Sequence, residues 1–134
     1  MSENSTRDFV NVLVYSDNAD MRQQMMYAVG RRVAADLPEI NFIEAATWQG
    51  ADLKVQENDC ALLILDAETA KLGGIGFGKK VRDEYDPQMP YIIVVARAQD
   101  EWLARTSRPN AVIVSPINPR ELASEVDKIL RERR

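Results

Sequence analysis

Asp66 closes the apolar run Ala61 to Leu65, and Asp17 follows the valine-rich run Val10 to Tyr15 after a single serine, Ser16. A carboxylate at the end of a buried strand can act as a nucleophile toward a phosphoryl group. With a second acid nearby, it can also hold an oxygen-seeking cation such as Mg²⁺. Other reaction types are excluded by composition. The chain has no histidine, so it has no Ser–His or Cys–His pair and no His-ligated zinc. Its one cysteine, Cys60, cannot form an internal disulfide or a thiolate cluster, and it reads as a small buried hydrophobe. The stretch Gly73 to Lys80 falls short of a phosphate-binding loop, because Lys80 stands where Ser or Thr should hold the metal. Its glycines read as a bending lead into a helix over Lys79 to Tyr85. No catalytic residues are expected, and the chain is not read as an enzyme.

The elements that must position the two aspartates alternate along the 134 residues. Short apolar runs predict strands at Val10–Tyr15, 41–45, Ala61–Leu65, Tyr91–Ala96 and Ala111–Val114. Between them, spaced apolar residues predict helices. Met21, Met25, Val29 and Val33 mark a first helix from Ala19 to about Asp36. Thr47 caps a second over Trp48–Glu57, and Gln99–Thr106 is a short fourth. Asn118 and Pro119 open the last, with Leu122, Val126, Ile129 and Leu130 as its buried stripe. A β-α order repeated five times forces parallel strands. The fold class is therefore α/β: a doubly wound five-stranded parallel sheet, a flavodoxin-like (βα)5 three-layer sandwich. Ligands of such sheets sit at the carboxyl ends of the strands. Residues 1–8 read as a disordered tail and 9–134 as one domain. The longest apolar runs are far short of the ~20 residues of a membrane span, and no membrane association is expected. The net charge of −4 opposes nucleic-acid binding. A cytoplasmic location is expected.

These residues resemble the receiver domain of bacterial two-component response regulators, over about Val10 to Leu130. The resemblance makes Asp66 the phosphoacceptor, and Gly74 matches the glycine that opens the family's third helix. It implies a Mg²⁺ site of Asp17, Asp66 and the backbone carbonyl of Glu68. Four pocket positions depart from the pattern. Ser16 replaces the first acid, Val95 the switch hydroxyl, Ser115 the lysine and Val112 the switch aromatic. Mg²⁺ binding is thus expected to be weak or absent, and phosphorylation-driven switching impaired. Ser115–Pro116 is expected to be cis, as in receivers. A Glu68–Arg97 pair is expected across the pocket rim.

The favoured function is a stand-alone signalling module acting through protein contacts, with a histidine kinase or downstream effector as partner. A homodimer through the fourth helix, fifth strand and fifth helix is a further expectation. Trp102, in that short helix, is expected to pack down onto the domain. The alternatives are a working Asp66 phosphoacceptor and a small nucleotide-binding or enzymatic protein on the same fold.

Overall fold

The apolar runs become the five strands of one parallel sheet. The computed structural model describes residues 9–69 and 71–133, so the tail expected over 1–8 lies outside the described residues. In chain order the elements are β1 (Phe9–Tyr15), α1 (Ala19–Val29), β2 (Glu39–Ala45), α2 (Trp48–Glu57), β3 (Cys60–Asp66), α3 (Gly74–Glu84) and β4 (Tyr91–Val95). A 3-10 turn over Ala98–Asp100 then leads into α4 (Glu101–Arg105), followed by β5 (Ala111–Val114) and α5 (Pro119–Arg133). The strand order is β2-β1-β3-β4-β5, with every pair parallel. This is the doubly wound architecture that the alternation of runs predicts.

Both faces of the sheet are covered, which explains why β3, β4 and β5 read as near-continuous apolar runs. Alternate residues point to opposite sides. Val12, Val14, Leu62, Ile64, Ile92 and Ile113 pack under α1 and α5, against Met25, Val29, Leu122 and Val126. Leu13, Tyr15, Leu63, Leu65, Tyr91 and Ile93 pack under α2, α3 and α4, against Ala51, Val55, Phe77, Val81 and Ala104. Asn118 caps α5 as its spacing predicts, its Oδ1 accepting from the Arg120 N–H at 3.0 Å. Among the described residues no helix is long and apolar enough to cross a membrane.

Three expectations change. The first helix ends at Val29, well short of Asp36, because Gly30 takes φ 75° and its N–H closes on the Met26 carbonyl. Val33 therefore packs from an irregular segment, where Arg32 Nη1 holds the carbonyls of Ala35 and Leu37. The third helix starts at Gly74, so most of the glycine cluster lies inside it. Close packing explains two of these glycines. A Cβ on Gly78 would fall 2.5 Å from the Tyr91 ring, and one on Gly74 would fall 2.8 Å from the Leu65 Cβ. Trp102 does not pack down: it is 70% exposed, and only Ala104 of the five-residue α4 is buried.

Candidate functional site

Sheet order and register place Asp66. β1 and β3 are neighbours, with Tyr15 opposite Leu65, so the residues that follow each strand meet at the carboxyl edge. Connections to β2 and to β4 leave in opposite directions there, which opens a crevice for ligands. Asp66 pairs in register with Val94, and the Ala67 N–H donates to the Val94 carbonyl at 2.9 Å. On the far side the Ser115 N–H donates to the Val95 carbonyl at 2.8 Å, holding the fifth loop against the same edge. Asp66, Val95 and Ser115 line one cavity of about 210 Å³, together with Asn18, Met21 and Glu68.

Asp66 is 5% exposed, and both of its carboxylate oxygens accept hydrogen bonds. The Ser16 hydroxyl donates to Oδ2 at 2.7 Å, and the Glu68 N–H donates to Oδ1 at 2.9 Å. Ser16 is fully buried, and its Oγ in turn accepts from the Asn18 N–H at 3.0 Å. A chain of neutral donors thus runs from the start of α1 through Ser16 to Asp66. Such hydrogen bonds to a charged acceptor contribute about 1.5–3 kcal/mol each.

Asp17 follows Ser16 in the loop after β1. It is exposed and lines a second hollow of about 200 Å³ with Thr47, Trp48 and Lys71. Its charge and that of Asp66 both act on the Tyr15 hydroxyl. Burial first, and these two carboxylates second, push Tyr15 up to about 12. Among the described residues no three His, Cys, Asp or Glu side chains converge as metal ligands do.

The other pocket positions lie where the strand ends put them. Val95 is fully buried and presents no hydroxyl to the cavity. Val112 is buried in the layer beneath α2, α3 and α4. The Ser115–Pro116 peptide is cis. The expected Glu68–Arg97 pair does not form. Arg97 closes instead on Asp100, with Nε and Nη2 each 3.1 Å from a carboxylate oxygen. That partner is three residues away on the same turn, so pairing with it orders less chain than reaching across the pocket. Glu68 acts on Arg97 only as a weaker, more distant charge.

Two contributors escaped the sequence reading. Arg22 reaches back from α1 to donate to the Ser16 carbonyl at 2.7 Å and pairs with Glu44 at 2.9 Å, fixing the loop after β1. The Tyr15 hydroxyl donates to the Leu72 carbonyl and so ties the loop after Asp66 to β1. Both contacts link residues that chain spacing does not associate.

Comparison with known proteins settles the family. Over 131 residues the chain is 35% identical to an uncharacterized response regulatory protein of Mycobacterium tuberculosis strain H37Rv, covering 98% of this chain and 97% of that one. The match to one from strain CDC 1551 / Oshkosh has the same figures. The chain belongs to the response-regulator receiver family. Solved receivers share its fold. The receiver domain of Francisella response regulator 1452 superposes with a TM-score of 0.78 at 19% identity, over 93% of this chain and 99% of that one. A receiver protein from Pseudomonas putida gives 0.75 at 20% identity, over 89% and 96%. No family profile matches the chain. As a receiver it is a two-component signalling domain. Asp66 lines its pocket with Val95 and Ser115 and takes a hydrogen bond from Ser16.

Proposed function

We propose that this receiver signals with little or no phosphorylation-driven switching and works through protein contacts, its partner a histidine kinase or a downstream effector. The observation that carries this reading is the Ser16 hydroxyl on Asp66 Oδ2 at 2.7 Å. A neutral donor stands where the family places an acid, so Asp66 is served by hydrogen bonds and not by a cation.

Magnesium fits these residues poorly. It needs oxygen ligands in a near-octahedral shell, often from one or two carboxylates. Here Ser16 stands at the position of the family's first acid, and both Asp66 oxygens already accept hydrogen bonds. The Glu68 carbonyl remains as the third donor of the implied set. We therefore assign weak or absent Mg²⁺ binding to Asp17, Asp66 and Glu68. The switch is also missing parts. Val95 offers no hydroxyl for a phosphoryl group to draw inward, and Ser115 offers no cation. A group that contacts two states equally cannot shift their balance. The contact face is that of α4, β5 and α5, where Trp102 and Leu103 are exposed, and a homodimer through it is part of the reading. A cytoplasmic, non-enzymatic role completes it.

A working Asp66 phosphoacceptor is the second reading, favoured by the cavity of about 210 Å³ beside the carboxylate. Incubation with Mg²⁺ and a small phosphodonor or beryllofluoride, followed by intact mass and sedimentation, separates the two. The degenerate pocket is expected to leave mass and association state unchanged. An adduct or altered association that Asp66→Asn abolishes would establish the phosphoacceptor.

A further inference from the structure

At the end of the sheet opposite Asp66, an otherwise acidic chain gathers positive charge. A cleft of about 340 Å³ lies between α3 and the loop leading into β5. Lys79, Arg82 and Arg108 line it against one acid, Asp83. Tyr91, the first residue of β4, forms part of its wall, so the cleft sits at the amino ends of β4 and β5.

Arg82 is fixed there without being neutralised. Its Nε donates to the Met89 carbonyl at 2.8 Å, and its Nη1 donates to the Arg108 carbonyl at 2.7 Å and the Ser107 carbonyl at 3.4 Å. Its Nη2 donates to Asn110 Oδ1 at 3.1 Å, and the guanidinium lies 4.1 Å from the Tyr91 ring centroid. Every one of these partners is uncharged. A guanidinium has five N–H donors, and one Nη2 donor has no acceptor among the described residues. Lys79 and Arg108 are exposed, and neither makes an ion pair among the described residues. By contrast Lys80, Arg97, Arg105 and Arg131 each face a carboxylate. Arg108 also takes φ 58°, a left-handed conformation that few non-glycine residues adopt, in a loop whose carbonyls Arg82 holds.

We propose that this cleft binds a phosphate-bearing small molecule whose phosphate oxygens are taken by Lys79, Arg82 and Arg108. Three cations around one volume supply more charge than a single carboxylate balances. The remaining Nη2 donor of the fixed Arg82 guanidinium can give a phosphate oxygen one charge-assisted hydrogen bond. The volume is near the lower end of small-molecule pockets, about 300–1,000 Å³, and fits a compact polar ligand. The inference does not depend on the state of Asp66.

The test titrates ¹⁵N-labelled full chain with pyrophosphate, and separately with malonate at matched ionic strength. Saturable amide shifts at Lys79, Ser107 and Arg108 are expected with pyrophosphate, and weaker binding of malonate. Lys79→Gln and Arg108→Asn are each expected to weaken pyrophosphate about tenfold, the loss of one charge-assisted contact. Asparagine tolerates the left-handed backbone, so the loop keeps its shape. Lys128→Gln, on α5, is expected to leave the affinity unchanged. Shifts that do not saturate, equal affinity for malonate, or full affinity in both cleft variants would overturn the proposal.

Discussion

Ser16 and Asp66 lie 50 positions apart in the chain and meet only because β1 and β3 are neighbours. Their positions were legible in the sequence, since each ends an apolar run at a strand terminus. Their hydrogen bond was not, because spacing says nothing of side-chain direction. Arg97 shows the converse. It was expected to face Glu68 across the pocket rim, but Asp100 three residues on was the nearer partner and took it. Cys60 behaves as a buried hydrophobe. Burial, with Asp59 beside it, pushes its thiol up to about 11 from 9.0. The folded protein keeps a proton that the unfolded chain sheds, so this stability is complete below pH 9 and declines as the pH rises toward 11. Urea midpoints measured across that window are expected to fall more in the natural protein than in Cys60→Ala. Parallel declines would contradict the burial argument.

The elements were read well where the chain repeats a pattern and less well where one residue breaks it. The strands emerged within a residue or two, because burial on both faces makes β3, β4 and β5 near-continuous apolar runs. Helix α1 stops early at Gly30 although the methionine and valine spacing continues to Val33. Helix α3 starts early because its glycines are demanded by neighbours and not by a turn. Gly78 decides this point. Alanine there would gain roughly 1 kcal/mol of helix propensity. Its Cβ would meet three atoms of the Tyr91 ring at 2.5–2.8 Å, and that ring is fully buried with its hydroxyl tied to the Ser107 carbonyl. Overpacking of this kind costs about 1–3 kcal/mol, so the clash wins. Gly78→Ala is expected to lower the stability read by urea denaturation; a variant as stable as the natural protein would show that Tyr91 can move aside.

The whole molecule has one sheet with a layer of helices on each face, and its two sites lie at opposite ends of the strands. The carboxyl end carries Asp66 with its neutral donors, and the amino end carries the cations around Arg82. Topology was legible because β-α alternation permits few arrangements. Long-range ties such as Arg131 to Asp36, 95 positions apart, were not, since surface ion pairs follow the fold and do not direct it. At this scale the chain is a receiver in which the Ser16 hydroxyl is bonded to Asp66, and the function proposed above gives Ser16 the place of a metal ligand. Thermal melts of the natural protein and of Ser16→Asp, each with and without millimolar MgCl₂, test this most directly. Without metal, the variant is expected to melt lower, because two carboxylates then face each other. With metal, its melting temperature is expected to recover by roughly 3–5 °C per kcal/mol of binding, while the natural protein stays unchanged. A natural protein that Mg²⁺ stabilises as much as the variant would contradict the role given to Ser16.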